Sequence, residues 1–252
     1  MIRCNFIRGE KTESSHLLFG VVVDSNKNIL HSFGDYKLSV PARSTLKPFQ
    51  SAASLNEGSY SQIKFTQKEI ALTCASHNGQ TEHTNTAKGM LKKLNFSKKE
   101  LECGKHPPHL AKNQEKYHCL HNNCSGKHIG MLALSKKLKS NNKNYIQKNH
   151  PVQKTIKTYL EAQLNKKINE FAIDGCSAPT PYLSLLEIAY LYAKLAEGKN
   201  KELKTIYEAM CANPFMIAGD KRFDTNFIKA LNKRGVSKGG AEGLLSIGLK
   251  NN

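Results

Sequence analysis

The chain has no apolar run approaching the roughly 18 residues of a membrane-spanning helix, and its first residues lack the apolar stretch and small-residue cleavage site of a secretory signal. No membrane association is expected, and the protein is placed in the cytoplasm. Arginine is scarce: only Arg3, Arg8, Arg43, Arg222 and Arg234 stand among 38 basic residues. Acidic residues number 20, which leaves a net charge of +18. That balance would suit an anionic partner, but a reader of bases or phosphates concentrates arginine, whereas here lysine is spread through every segment, often beside asparagine. Such a distribution describes a solvated surface, and no nucleic-acid partner is expected. Internal repeats and long linkers are also missing. The seven cysteines form an odd set without a regular framework, which points to thiols or metal ligands rather than disulfides.

What is present is enough apolar material, 39% of 252 residues, for one large domain or two small lobes around a core. The first fifty residues read as strands. Leu17 to Asp24 and Ile29 to Phe33 flank a Ser25-Asn26-Lys27-Asn28 turn and predict a hairpin, to which Cys4 to Ile7 would add a third strand. Helical signals follow. Thr66 with Glu69, and Ser97 with Glu100, have capping-box spacing. Val152, Ile156, Tyr159, Leu160 and Leu164 form an apolar stripe, and Leu183 to Ala196 reads as a more buried helix. The lysine- and asparagine-rich stretch from Lys136 to Asn149 reads as an exposed loop after a helix. Phe171 to Ile173 predicts a short buried strand, and Leu244 to Leu249 another. The fold class is α/β in the α+β sense: a mainly antiparallel sheet built from both chain ends, flanked by helices, with a helical middle. Residues 1–252 would form one bilobal unit, with 1–58 and 171–252 as the sheet lobe and 59–170 as the mostly helical lobe.

Three short motifs occur in order: Ser44-Thr45-Leu46-Lys47, Ser76-His77-Asn78 and Lys238-Gly239-Gly240. Their order is similar to the S-x-x-K, S-D-N and K-T-G series of penicillin-recognising serine enzymes. Ser and Lys three apart arise by chance in so lysine-rich a chain, and context supplies the weight. Ser44 sits at the first turn of an apolar helix, with Lys47 one turn later on the same face, and Pro48 is tolerated where amides are still free. A serine there needs a base, and Lys47 serves only as a neutral amine, which burial and a second cation such as Lys238 would favour. A second constellation comprises Asn123-Cys124-Ser125-Gly126-Lys127-His128 and Asp174-Gly175-Cys176-Ser177-Ala178-Pro179. Neither has C-x-x-C spacing, so two small buried thiols at tight turns explain them as well as a metal does. The surrounding His106, His109, His118, Cys119, His121 and His128 leave a small zinc module as a further alternative.

The blocks from Ala42 to Gln50, Cys74 to Gly79, Leu101 to Gly104, Asn123 to His128, His150 to Gln153, Asp174 to Pro179 and Lys238 to Gly243, taken jointly, closely resemble the asparaginase II family of Rhizobium-type L-asparaginases. The resemblance implies a fold like serine β-lactamases and glutaminases and two Ser-Lys tandems, Ser44 with Lys47 and Ser76 with Lys238. It also implies a zinc ion held by Cys124, Lys127 and Cys176, with Arg43 and His77 orienting substrate or serines. The implied reaction is hydrolysis of L-asparagine to L-aspartate and ammonia through a serine acyl-enzyme, in a homodimer. Family members continue through further strands and a helix beyond the position of Asn252, so the resemblance also predicts a C-terminally truncated fold in which the strand at Leu244 to Leu249 lacks its hairpin partner, with activity impaired. Three other readings stay open: a non-catalytic truncated remnant, a glutaminase-like or β-lactam-recognising hydrolase, and a basic zinc-containing nucleic-acid-binding module.

Overall fold

The computed structural model describes residues 2–108 and 117–250; His109, one of the histidines grouped above, lies outside the described residues, as does the Asn251-Asn252 terminus. The chain opens on two hairpins in series. Strands β1 (Ile2–Arg8) and β2 (Lys11–Leu18) pair antiparallel with a bulge at Phe6/Ile7, and every residue of both is exposed. Strands β3 (Gly20–Val23) and β4 (Ile29–Phe33) form the hairpin expected around residues 25–28. Its turn is organised by Asp24, whose carboxylate accepts the N–H groups of Asn26 and Asn28 at 2.9 and 2.8 Å. Cys4 to Ile7 is a strand, as expected, but it pairs with β2 and adds nothing to the second hairpin.

A short strand β5 (Ser39–Pro41) leads through a 3₁₀ turn, Arg43–Leu46, into α1 (Lys47–Asn56). Helices α2 (Ser59–Ile63), α3 (Gln67–Thr73), α4 (Thr81–Leu94), α5 (Ser125–Lys137) and α6 (Pro151–Leu164) follow. The Thr66/Glu69 capping box starts α3, with Thr66 N–H on Glu69 Oε2 at 2.7 Å. The Ser97/Glu100 box closes only a 3₁₀ turn, Lys98–Glu100, because the chain leaves helical geometry at Leu101. The stripe on α6 is buried as expected. In the loop after α5, Tyr145 is fully buried, a departure from the exposed loop expected there: its ring packs against His128 and its hydroxyl accepts Glu102 N–H at 2.8 Å.

The remaining chain supplies β6 (Phe171–Ile173), β7 (Pro179–Ser184), α7 (Leu185–Glu197), α8 (Lys201–Ala212), α9 (Pro214–Ala218), α10 (Phe223–Ala230), β8 (Gly235–Gly239) and β9 (Leu245–Leu249). Instead of one sheet built from both ends, the described strands form four small antiparallel sheets, β1-β2, β3-β4, β5-β7-β6 and β8-β9. Among the described residues, only the β5–β7 ladder joins the early and late segments directly, while β3 and β9 each pack against α7 without pairing with one another. Strand β6 forms where expected but is not buried, since Ile173 is 71% exposed at a sheet edge. Strand β9 does have a hairpin partner: it pairs with β8 from Gly235↔Leu249 to Gly239↔Leu245.

The core lies where α1, α3, α5 and α8 meet. Helix α5 is buried continuously from Ser125 to Ser135, which explains why its sequence shows no apolar stripe. Its glycines permit the approach of its neighbours. A Cβ on Gly126 would overlap the Leu72 carbonyl of α3, and one on Gly130 would overlap the Tyr60 hydroxyl. That contact presses the start of α5 against the end of α3, which brings residues 123–128 to residues 74–78.

Candidate active site

Ser44 sits half-buried on the 3₁₀ turn, and both neighbours pin that turn. Arg43 has φ +49°, a left-handed value uncommon for a non-glycine residue, and is held there by its N–H on Thr180 Oγ1 at 2.9 Å and its Nε on Asp174 Oδ1 at 2.8 Å. Thr45 is fixed by its own hydroxyl on Ala42 O and by Tyr192, whose hydroxyl donates to Thr45 O at 2.8 Å. The end of β8 lies over the same turn: a Cβ on Gly240 would touch Thr45 Cγ2 at 3.3 Å and Arg43 Cβ at 3.6 Å.

Lys47 begins α1 and is completely buried. Its Nζ contacts Ala75 O at 2.6 Å, Ser76 Oγ at 2.9 Å and Asn123 O at 3.3 Å. Among the described residues it makes no hydrogen bond to Ser44, so the amine is engaged with Ser76 rather than with the serine of its own turn. The Ser76 backbone is docked by its N–H on Ile217 O at 2.9 Å. Lys238, also fully buried, donates to Gly239 O at 2.6 Å and stands 3.6 Å from Asp224 Oδ2, with no hydrogen bond to Ser76. Burial is the main cause that lowers its ammonium to about 8; Lys47 and Arg222 act in the same direction, and Asp224 and Cys124 oppose them.

His77 is buried and uses both ring nitrogens on the protein. Gly79 N–H donates to Nδ1 at 3.1 Å, so the proton belongs on Nε2, which donates to Ser125 Oγ at 2.9 Å. The ring stacks on His83, and His83 on Phe215. Desolvation, with His83 and Lys47 nearby, holds His77 well below the ordinary histidine value, so it is a neutral structural ring at the end of α3.

The second constellation also assembles. The donor atoms of Cys124, Asp174 and Cys176 lie within 4.8 Å of one another, and Lys127 Nζ donates to Cys176 Sγ at 2.8 Å and stands 3.8 Å from Asp174 Oδ2. All are at least largely buried. A hydrogen bond from Cys124 and the charge of Lys127 overcome burial to bring the Cys176 thiol down to about 5, while the same Cys124–Cys176 bond and burial push Cys124 up to about 12. Burial works against the Lys127 ammonium, yet Cys176, Cys124 and Asp174 raise it above its ordinary value. Two cysteine sulfurs and a carboxylate thus converge beside the Lys127 ammonium, and with Lys127 deprotonated this donor chemistry would fit a single tetrahedral zinc ion. No histidine joins such a cluster among the described residues.

Two acids central to this geometry were assigned no role from the sequence, although Asp174 opens the Asp174 to Pro179 motif. Asp174 links Arg43 to Lys127 and is kept below the ordinary carboxylate value, despite burial, by Lys127, Lys47, the Gly175 amide and Arg43. The one clue was its place two residues before Cys176. Asp224 faces Lys238 and had none.

A family model described as L-asparaginase II matches residues 4–252. The chain belongs to the L-asparaginase II family. Membership supports an asparaginase-like amidohydrolase with asparagine as the expected substrate. A search of curated proteins finds no match. Among the described residues, no helix of this asparaginase-family chain is long and apolar enough to cross a membrane.

Proposed function

We propose that the chain hydrolyses the side-chain amide of L-asparagine to L-aspartate and ammonia through an ester on Ser44. The observation that carries this reading is a fully buried amine, Lys47, one turn from Ser44 and 2.9 Å from Ser76 Oγ. As a neutral amine, Lys47 gives its two N–H groups to Ala75 O and Asn123 O and keeps a lone pair for a serine proton. Ser44 loses its proton to Lys47, directly or by way of Ser76, and its Oγ attacks the amide carbon. The proton then passes to the departing nitrogen, ammonia leaves, and water attacks the ester with the same groups acting in reverse. Lys238 acts as a second buried amine, held as a cation beside Asp224. Arg43, tied through Nε to Asp174, has its other nitrogens for a substrate carboxylate.

Cys124, Lys127 and Cys176 would hold zinc, with Asp174 beside them; bound there, the ion would supply positive charge that orients substrate. Lys127 must give up its proton to become a ligand.

The Lys47–Ser76 contact favours one variant of this reading, in which Ser76 is the nucleophile. Incubation with asparagine followed by rapid acid quench and peptide mass analysis tests both: an aspartyl ester on the peptide containing Ser44 supports the proposal, and an ester on Ser76, or none in an active enzyme, overturns the assignment of Ser44.

A further inference from the structure

Lys238 is a cation in an unfavourable place. It is fully buried, and the ionisable groups that bear on it come from several elements: Lys47 of α1, Cys74 just after α3, Cys124 just before α5, and Arg222 and Asp224 at the start of α10. Two of these are basic side chains and two are thiols. Asp224 is the carboxylate among them.

Its placement is more specific than proximity. Asp224 is buried in the first turn of α10, where its Oδ1 accepts Ser237 Oγ–H at 2.8 Å and both oxygens accept Gly239 N–H, at 3.1 and 2.9 Å. The carboxylate therefore grips the residues on either side of Lys238 and lies 3.6 Å from its Nζ. One group fixes the backbone of β8 around the lysine and supplies the charge beside its amine. We infer that Asp224 is a positioning residue for Lys238, fixing the strand that carries it and keeping its amine an ammonium. The inference rests on the proposed hydrolysis, in which Lys238 works as a cation.

Consequences for pH follow from the sign. Burial is the main cause that brings Lys238 to about 8 and Asp224 is the strongest influence opposing it, so neutralising Asp224 moves the titration to lower pH. In wild type, kcat falls on the alkaline side as Lys238 loses its proton near pH 8. In Asp224→Asn, which keeps an acceptor oxygen for Gly239, that limb shifts by one pH unit or more to lower pH. At pH 7.5 kcat falls at least about threefold with KM nearly unchanged. Asp224→Glu restores the limb. Ser237→Ala removes a hydrogen bond from the same carboxylate but no charge, and leaves the limb in place.

The test pairs these profiles with an NMR titration of the Lys238 side chain in isotopically labelled protein. The expected result is an acidward midpoint in Asp224→Asn and no shift in Ser237→Ala. An unchanged midpoint in Asp224→Asn, with activity lost only in proportion to melting temperature, overturns the inference. An NMR shift in protein that releases no ammonia from asparagine keeps the Asp224–Lys238 coupling and refutes the hydrolysis instead. Should Asp224→Asn fail to fold, Asp224→Thr, uncharged with an acceptor oxygen, is read against the same outcomes.

Discussion

The Lys47 amine and the Ser76 hydroxyl meet at 2.9 Å across 29 residues of sequence, at the junction of α1 with the end of α3. The contact sets a buried amine against a hydroxyl, with Lys47 Nζ donating to Ser76 Oγ, and the remaining hydrogen bonds of Lys47 go to main-chain carbonyls.

Lys47→Met retains the volume and removes the amine. Ammonia release should fall by about 10²–10⁴-fold, the usual span for a general base. Two buried carbonyls lose a partner, so stability drops by about 1–3 kcal/mol. Urea unfolding and steady-state kinetics on the same preparation separate the effects: activity lost only in step with the unfolded fraction would contradict a catalytic role.

Alkaline pH should strengthen the fold through Lys238. Its folded value, about 8, lies below its ordinary 10.5, so between those values the unfolded chain binds a proton that the folded chain does not. Stability therefore rises with pH across that window by about 3 kcal/mol on account of this group. The difference in urea midpoint between wild type and Lys238→Met, measured from pH 8 to 10.5, isolates it. A pH-independent difference would show that Lys238 is not desolvated.

Much of this was legible in order and residue type. The β3–β4 hairpin, the Thr66/Glu69 cap and the buried α6 stripe all follow local rules that the fold did not override. Cys124, Lys127 and Cys176 were named through the family resemblance alone, since their spacing diagnoses no metal, and the structure brings them together, Lys127 meeting Cys176 across 49 residues. Asp174 and Asp224 were not, because each acts through oxygens aimed at residues distant in sequence, and a lone acid has no spacing to read. The separation of the strands into four small sheets was equally hidden: alternation marks a strand but does not choose its neighbour, as β1 pairing with β2 illustrates.

Two alanine substitutions on α5 should differ in severity. At Gly126 the new methyl meets backbone of α3, which cannot withdraw without moving the helix; at Gly130 it meets the tip of Tyr60, which can shift. Gly126→Ala should cost about 3 kcal/mol or more and Gly130→Ala less, by thermal melts. The reverse order would contradict the close approach of α5 to α3.

Zinc content provides a separate check. Purified protein should bind about one equivalent of zinc by elemental analysis, lost in Cys124→Ser and Cys176→Ser and weakened in Lys127→Met. Chelation should raise KM for asparagine, and rezincation should restore it. Chelation that leaves both KM and kcat unchanged would remove the ion from substrate binding.

The most direct measurement is ammonia released from L-asparagine, with L-glutamine in parallel, by wild type and Ser44→Ala. Turnover of asparagine by wild type and its loss by at least about 10³-fold in Ser44→Ala is the predicted result. Turnover in Ser44→Ala close to that of wild type would contradict an acyl-enzyme on Ser44.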